Sequence, residues 1–473
     1  MSDCLGGYDF FDTEHEHVLE EPRFVEHEKV TAETLANPDA RILEINSKTG
    51  LYPLYVAYSI FRKKCEAYPP DELDETLEQR LWNATVAENI FVICKTPMAK
   101  SITKRTLVGY SEARVNTHFF EDLINQITNK SDQFLKKIPD GKNYWKANND
   151  TTMKFNAIVG NPPYQVMDGG SKASATPVYN VFVEIAKKLK PDFVSMIIPA
   201  KWYNGGRGLD DFRTSMLNDT RIQKLVDYAD SNDCFHGVDI AGGICYFLWD
   251  QSYSGLCSVI NVSNGKSIKN ERKLYEYKTF VRNPEAISII EKIFNSGDKA
   301  FLDTMVSSQK PFGLRTYVKP LETGDLILRY SGGKGAFNKT DVTAGYDWID
   351  QWKVITSYLT YDHAGRADKD GKKRIISTLE VLNPKEICTE TYIVVGSFNS
   401  ENEAQNLYGY IKTKLARFLI AQLTSTQHLS KANFAFVPLQ DFTKSWTDRE
   451  LYAKYCLTDD EIAFIESTIK PME

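Results

Sequence analysis

Short apolar runs that alternate with helical patterns constrain the fold of this chain more than any other feature of its sequence. The runs occupy residues 41–45, 89–94, 155–159 and 193–198. Apolar runs of this length are typical of strands buried on both faces, which occur in parallel sheets covered by helices. The segments predicted to be helices between them occupy residues 51–61, 95–106 and 178–189. The alternation predicts an α/β fold, a Rossmann-like domain with a mostly parallel sheet.

The length of the chain predicts more than one domain. A chain of 473 residues is too long for one ordinary core, and 42% apolar with 25% charged residues is typical of a globular protein. We expect an acidic N-terminal arm at residues 1–30 and the α/β domain at residues 31–254. The rhythm changes from about residue 255, so residues 255–473 are predicted to form a separate α+β domain with a helical C-terminus.

A stiff polar turn follows the apolar run at residues 155–159. Gly160 ends the run, and the next residues are Asn161, Pro162, Pro163 and Tyr164. The two prolines fix φ and lack backbone donors, so nearby carbonyl groups can face a cleft at the end of the strand. The Asn161 side-chain oxygen and the Pro162 carbonyl can accept from an exocyclic amine, while Tyr164 can stack on a flat base. The alternative is a plain strand-to-loop turn, because all these residue types are common in turns.

This stretch resembles the catalytic motif of amino-group methyltransferases that use S-adenosyl-L-methionine, above all the DNA adenine-N6 methyltransferases. The resemblance implies that Asn161 and Pro162 accept from the target amine and that Tyr164 stacks on a flipped adenine. In the family an aromatic residue in a later loop closes the other face of the base, and Phe235 matches that position. An ordinary core role is the alternative for Phe235.

The first strand, loop and helix suggest a cofactor site. Residues 46–50 form a tight loop between the strand and the helix, as in nucleotide-binding α/β folds. The resemblance implies that Glu44 is the family's acid and Gly50 the last glycine of its turn over the methionine part of the cofactor. Lys48 stands where another glycine is usual. A phosphate-binding loop is the competing reading of residues 47–50, but the Gly-x-x-x-x-Gly-Lys spacing is absent.

Three further residues are assigned to the cofactor site. Asn46 belongs to the same loop, and Thr31, a plausible helix cap, precedes the first strand. Asp122 follows a segment that resembles the family's third motif, whose acid accepts from the cofactor adenine; a helix N-cap is the alternative. Relatives also carry a ribose-binding acid after the second strand, where this chain has Cys94 and Lys95.

The cofactor strand precedes the strand of the Asn-Pro-Pro-Tyr turn, and a long C-terminal part follows both. This order of motifs resembles that of the gamma class of DNA adenine methyltransferases, and of type IIG restriction-modification methylases in particular. That arrangement implies that residues 255–473 are a target-recognition domain for double-stranded DNA. The chain has a net charge of −6, with eleven acidic and two basic residues among the first 40, so DNA would meet local basic patches. Three stretches are predicted to be basic loops: residues 266–282, where basic side chains interleave with aromatic ones, the glycine-rich residues 331–335, and residues 361–374, which combine basic, aromatic and glycine residues.

Several type IIG methylases begin with a nuclease or a helicase. Residues 1–30 leave no room for one, so we expect cleavage to need a separate restriction nuclease or helicase subunit, within a restriction-modification or phage-defence system. Two other functions remain open. The turn could serve an RNA or protein-glutamine N-methyltransferase, or the chain could be a catalytically weakened DNA-recognition subunit.

Cysteine and histidine spacing predicts no metal site. The eight cysteines form no Cys-x-x-Cys pair and the seven histidines lack ligand spacing, so we expect reduced thiols and no metal. No apolar run is long enough to cross a membrane, and the acidic N-terminus does not resemble a signal peptide. The sequence therefore predicts a cytoplasmic protein without a membrane partner.

Overall fold

The computed structural model describes residues 1–12, 17–147, 152–167, 175–205, 208–263, 265–277, 279–362, 367–424 and 427–472. The chain divides into two compact units. The first comprises residues 1–202 and 206–278, and the second comprises residues 203–205 and 279–473. Among the described residues, no helix combines the length and the apolar character needed to cross a membrane.

The first unit is built on a large sheet. The strands of the first unit are β1 (Gly7–Asp12), β2 (His17–Val25), β3 (Ile42–Ser47), β4 (Ile90–Cys94), β5 (Asn116–Phe119), β6 (Ala157–Gly160), β7 (Gln165–Met167), β8 (Ala175–Pro177), β9 (Phe193–Pro199), β10 (Ile222–Tyr228), β11 (Ile244–Asp250), β12 (Cys257–Ser263) and β13 (Lys266–Arg272). Nine of these described strands pair in the order β13-β12-β10-β11-β9-β6-β3-β4-β5. The segment from β9 to β5 is parallel throughout, and β11 runs antiparallel to both of its neighbours. The predicted α/β fold with a mostly parallel sheet is confirmed.

Helices cover this sheet. They are α1 (Ser2–Leu5), α2 (Glu28–Glu33), α3 (Leu51–Cys65), α4 (Glu75–Asn89), α5 (Pro97–Val108), α6 (Leu123–Thr128), α7 (Ser131–Lys137), α8 (Tyr179–Lys188) and α9 (Asp210–Asn218). Every residue of β3 and β4 is buried, as expected for strands with helices on both faces. Because β3, β4 and β6 are parallel neighbours, the loops after all three emerge at one edge of the sheet. That edge is where ligands bind in open α/β sheets.

The N-terminal segment is not a separate arm in the structure. Strands β1 and β2 form an antiparallel hairpin within the first unit. The backbone N–H of Tyr8 donates to the Ser59 hydroxyl over 3.0 Å, and the Tyr55 hydroxyl donates to the Gly6 carbonyl over 2.7 Å. The aromatic residues that interrupt the acidic sequence explain this packing, since Tyr8 and Phe10 contact Tyr58 of α3. The acidic composition alone had suggested an independent arm.

The large sheet also extends further along the chain than predicted. Strand β12 pairs with β10, and β13 pairs with β12, so residues 255–278 belong to the first unit. Lys266, Lys269 and Arg272, predicted to lie on a basic loop of the C-terminal domain, lie on the edge strand β13. Lys278, from the same predicted stretch, is outside the described residues. Strand β13 carries mostly exposed polar side chains, which is common for an edge strand and gives no apolar run in the sequence.

The second unit mixes two small sheets with helices. Its helices are α10 (Pro284–Asn295), α11 (Glu401–Lys412), α12 (Lys414–Gln422), α13 (Asp448–Lys454) and α14 (Asp459–Thr468). Its strands are β14 (Leu326–Tyr330), β15 (Gly333–Phe337), β16 (Trp352–Ser357), β17 (Leu379–Leu382), β18 (Glu386–Cys388) and β19 (Tyr392–Phe398). The described strands form two three-stranded sheets, β15-β14-β18 and β17-β16-β19. The predicted α+β character and the helical C-terminus match this unit.

Candidate functional site

The Asn-Pro-Pro-Tyr turn leaves the sheet beside the first strand. Strands β3 and β6 are paired so that Glu44 lies opposite Val159. Gly160 allows this close approach, because a Cβ added there would lie 2.8 Å from the carbonyl oxygen of Ile45. A side chain at position 160 would therefore push apart the two strands that position the site.

Asn46 joins the two loops. Its amide Nδ2 donates a hydrogen bond to the backbone carbonyl of Asn161 over 2.9 Å. Asn46 is buried and has a φ of 77°, a left-handed conformation that asparagine tolerates better than most residues. The Asn161 carbonyl is thus engaged by Asn46, so the Asn161 side chain and the Pro162 carbonyl remain the acceptors for a ligand.

Gly50 turns the chain from this loop into α3. It has a φ of 78° and is the N-cap residue of the helix, without a side chain to cap it. A Cβ at this position would lie 3.0 Å from the Cα of Thr103 on α5. Both the backbone conformation and the close packing against α5 require glycine here.

A cavity lies between these two loops. Its volume is about 270 Å³, near the lower end of the range for small-molecule sites, which is roughly 300–1,000 Å³. It is lined by Glu44, Asn46, Lys48, Thr49, Leu51, Tyr52 and Asn161. The structure therefore brings together Glu44 and Asn46, predicted for the cofactor, with Asn161, predicted for the target amine. Gly50 is not itself a lining residue, but its neighbours in the chain, Thr49 and Leu51, are.

Glu44 is a buried acid in this cavity. Its side chain is buried, and within the part of the chain that the structure describes its Oε2 has no hydrogen-bond partner. Burial raises the pKa of this carboxyl to about 7, against a smaller lowering by the Ser47 hydroxyl. A buried carboxyl with an unused oxygen is costly unless a ligand donates to it. Glu44 is thus prepared to accept from a positively charged group.

Two tyrosines extend the site from Glu44 toward the Asn-Pro-Pro-Tyr turn. Burial, with the nearby Glu44 and Cys234, raises the pKa of Tyr52 to about 12. Burial raises the pKa of Tyr164 as well, with added repulsion from Tyr52 and Cys234. The Tyr164 hydroxyl is buried without a hydrogen-bond partner among the described residues. Both hydroxyls are therefore protonated at physiological pH, so neither tyrosine supplies a base.

Phe235 lies next to this group without lining the cavity. It follows Cys234, whose thiol is within electrostatic range of Tyr164 and Tyr52. Phe235 is half-buried, and its backbone N–H donates to the Ser231 carbonyl over 2.7 Å. This bond anchors the loop locally, and the role of Phe235 toward a base stays a prediction.

The structure does not bring Thr31 and Asp122 to the cavity. Thr31 is fully buried; its hydroxyl donates to the Leu5 carbonyl over 2.9 Å and accepts from the His27 N–H over 2.7 Å. It lies inside α2, which begins at Glu28, rather than at the helix start. Asp122 is exposed and caps α6, accepting from the Asn125 N–H over 3.1 Å. The helix-cap alternative describes what Asp122 does in this structure.

Cys94 does not replace the ribose-binding acid found in relatives. Its thiol is buried against the Thr103 hydroxyl at 3.7 Å, and burial raises its pKa to about 11. A thiol with this pKa is neutral at physiological pH. The exposed Lys95 contributes its backbone N–H to the Ser47 carbonyl over 2.9 Å.

Sequence reasoning missed Thr49, Leu51 and Tyr52 as lining residues. The sequence predicts an apolar helical stretch over residues 51–61, which gives residues 51 and 52 no role in a site. Leu51 is in fact 64% exposed, and Tyr52 stands in the first helical turn after Gly50. The sequence does hold one signal for Tyr52: an aromatic residue in the first turn of a helix that follows a glycine at the end of a strand and loop.

The chain resembles known restriction-modification methylases. Residues 88–235 match the family model for Eco57I restriction-modification methylase, and this range contains the Asn-Pro-Pro-Tyr turn. An "Uncharacterized adenine-specific methylase" of Mycoplasma pneumoniae is 32% identical over 188 residues, which cover 35% of this chain and 44% of that protein. The match therefore spans less than half the length of this curated relative.

Two solved structures of restriction-modification enzymes are among those to which the chain is similar. The Type IIL enzyme MmeI in complex with DNA is 10% identical, with a TM-score of 0.47, and the match covers 84% of this chain and 62% of that one. A nuclease-deletion mutant of the Type ISP enzyme LlaGI, in complex with a DNA substrate mimic, is 10% identical with a TM-score of 0.46, covering 86% and 43%. The predicted resemblance is confirmed by the family match and the curated relative: residues 88–235 match the Eco57I restriction-modification methylase model, and part of the chain is similar to an adenine-specific methylase.

Proposed function

We propose that this protein is a cytoplasmic DNA methyltransferase that transfers a methyl group from S-adenosyl-L-methionine to N6 of adenine within a restriction-modification or phage-defence system. The single observation that carries the proposal is the cavity lined by both Glu44 and Asn161. A donor held by the first loop would lie beside an amine held by the second. Methyl transfer between two bound groups depends mainly on such positioning.

The residues of the first loop fit the amino-acid end of the cofactor. The unpartnered Oε2 of Glu44 can accept from its ammonium group, and the cavity is large enough for that end. Asn46 and Gly50 shape the loop. When bound, the cofactor would supply an electrophilic methyl group on a sulfonium.

The residues of the second loop fit an exocyclic amine. The Asn161 side-chain oxygen and the Pro162 carbonyl accept its N–H groups, drawing electron density onto the nitrogen. Pro163 keeps the turn rigid, since its φ is fixed. An amide is a poor base, so Asn161 positions and polarises the amine, and the proton released on methylation passes to solvent.

The adenine would have to leave the duplex to reach this turn. Flipping a base costs a few kcal/mol, and stacking on aromatic side chains offsets part of that cost. Tyr164 would support one face of the ring and Phe235 the other.

The second unit is proposed to recognise double-stranded DNA. The exposed Tyr317 follows Arg315, and Arg374 lies over the ring of Tyr361 at 4.5 Å. Cationic and aromatic side chains of this kind contact phosphates and bases. Residues 363–366, which include His363 and Arg366 of the third basic stretch, lie outside the described residues. A separate nuclease or helicase subunit would supply cleavage.

One observation favours a second candidate, a DNA-recognition subunit with weakened catalysis. Thr31 and Asp122 have other structural roles, and Cys94 cannot supply the ribose-binding charge. Two predicted cofactor contacts, and a third that the family pattern would supply, are therefore missing from the cavity. Under this alternative the second unit would still bind DNA, but the first would not bind the cofactor.

Methylation mapping separates these possibilities. Purified protein is incubated with S-adenosyl-L-methionine and unmethylated genomic DNA, and N6-methyladenine is located by single-molecule sequencing, with Asn161→Ala as the control. We expect methylation at one sequence motif with the wild type and none with the variant. DNA binding without methylation or cofactor binding would establish the recognition subunit instead, and transfer only to RNA or protein would overturn the DNA assignment.

A further inference from the structure

Lys48 shares the cavity with Glu44. Both residues line it, and they carry opposite charges once Glu44 is ionised. Lys48 is exposed and makes no ion pair with any residue that the structure describes, while Glu44 keeps one carboxylate oxygen unpartnered. The cavity therefore offers a cation and an anion that do not neutralise each other.

The start of α3 adds to the positive side of the cavity. Gly50 supplies no side-chain cap, so the first N–H groups of this fifteen-residue helix are left for a ligand. Leu51 and Tyr52, which carry two of them, line the cavity. The positive end of a helix attracts a carboxylate, and an adjacent lysine strengthens that attraction.

These charges match a zwitterion. The amino-acid end of S-adenosyl-L-methionine carries an ammonium and a carboxylate on one carbon. We propose that Lys48, with the start of α3, binds the carboxylate of the cofactor while Glu44 binds its ammonium, so that this chain selects its donor by the carboxylate. This inference rests on the proposed function and assigns a role to the residue by which the loop departs from the glycine-rich pattern.

A phosphate ligand fits the same loop less well. Lys48 and a helix start could hold a phosphate, as in phosphate-binding loops. The carboxyl of Glu44 lies in the same cavity, however, and would repel a dianion once ionised. A ligand with both charges uses both residues.

Calorimetry without DNA tests this role, because binding is read without turnover. The full-length protein is titrated at pH 8 with S-adenosyl-L-methionine and with its decarboxylated form, which keeps the sulfonium and the ammonium but lacks the carboxylate. The variants are Lys48→Met and, as the matched control, Lys95→Met. Lys95 is an exposed lysine in the neighbouring loop and does not line the cavity.

We expect the wild type to prefer the carboxylate-bearing ligand by about tenfold or more, the scale of one charge-assisted contact. Lys48→Met should lose most of that preference, with about tenfold weaker binding of S-adenosyl-L-methionine and less than about twofold change for the decarboxylated form. Lys95→Met should bind both ligands as the wild type does. ATP should not displace S-adenosyl-L-methionine at comparable concentration.

Equal weakening of both ligands by Lys48→Met, or no weakening of either, would overturn the role of Lys48 while leaving the proposed function in place. The same holds if Lys95→Met behaves like Lys48→Met, because the effect would then be general electrostatics. Displacement by ATP would assign the loop to phosphate. If the wild type binds neither sulfonium ligand, both this inference and the proposed function fail.

Discussion

The side chain of Asn46 donates to the backbone carbonyl of Asn161 over 2.9 Å, which ties the end of β3 to the Asn-Pro-Pro-Tyr turn. This bond links residues 115 positions apart in the sequence. It fixes the distance between the loop proposed to hold the methyl donor and the turn proposed to hold the amine. It also sets the orientation of Asn161, since it engages the backbone carbonyl and leaves the side chain to the ligand.

Replacing Asn46 by glycine should separate stability from activity. Glycine accepts the φ of 77° without strain, which offsets the stability lost with the hydrogen bond to Asn161, so we expect the thermal midpoint to fall only slightly. The lost hydrogen bond is worth about 1 kcal/mol, so kcat/KM for methylation should fall about fivefold. Lys385→Gly is the control, because Lys385 is exposed, has a φ of 70° and lies in the second unit. A wild-type kcat/KM for Asn46→Gly would mean that the bond does not orient Asn161.

Replacing Glu44 by glutamine should stabilise the protein in alkaline solution. The folded-state pKa of about 7 lies above the ordinary value of 4.5, so the folded protein binds this proton more tightly than the unfolded chain. The contribution of Glu44 to stability is therefore fully present below about pH 4.5 and is lost as the pH rises through 7, a loss on the order of 3 kcal/mol at most. Glutamine lacks this titration.

Thermal unfolding at pH 5 and pH 8 checks this effect. The midpoint of Glu44→Gln should exceed that of the wild type at pH 8 and approach it at pH 5, while affinity for S-adenosyl-L-methionine falls. A variant less stable than the wild type at both pH values would show that the carboxylate is satisfied within the folded protein.

Gly160→Ala should disrupt the pairing of β3 with β6. The added Cβ would meet the Ile45 carbonyl at 2.8 Å, and this backbone oxygen cannot move without shifting the strand. We expect a loss of about 1–3 kcal/mol in stability, the usual cost of overpacking, together with lower activity. Chemical unfolding measures the loss.

Gly409→Ala is the matched control for that substitution. Gly409 lies in α11, and a Cβ there would meet nothing within 4 Å. Alanine in an exposed helical position should stabilise the protein by up to about 1 kcal/mol. Equal destabilisation by the two substitutions would argue against a specific contact at Gly160.

Two substitutions at Tyr164 should behave differently. Tyr164→Phe keeps the ring and removes a buried hydroxyl without a partner among the described residues, so turnover and stability should stay near wild type. Tyr164→Ala removes the stacking surface and should lower kcat about 10–100-fold, while cofactor affinity changes little. Radiolabel transfer to a cognate duplex gives kcat, and calorimetry gives the affinity. Unchanged methylation by Tyr164→Ala would refute the stacking role.

The central strands could be predicted because burial on both faces leaves a continuous apolar run. Strand β3 is buried along its full length and was found from its aliphatic residues. Strand β5 has the sequence Asn-Thr-His-Phe and was missed, since its four residues carry no such run. Strand β13 was read as a basic loop because an exposed edge strand can carry charged side chains.

Residues of the candidate site could be predicted where a short sequence motif indicates a role. They could not be predicted where the role of a residue depends on its three-dimensional surroundings. The turn at Asn161 could be identified from local sequence. The left-handed backbone of Asn46 depends on the pairing around it, and Asp122 could equally bind a ligand or cap a helix. Tyr52 has the same spacing as core residues of α3, and only the cavity distinguishes it.

A crystal structure with sinefungin, a stable analogue of the methyl donor, tests the shared site most directly. We expect its amino-acid end beside Glu44 and Lys48, with the amine that replaces the methyl group facing Asn161 and Pro162. Sinefungin bound elsewhere, or bound with its amine turned away from Asn161, would contradict the proposal that the two loops form one methyl-transfer site.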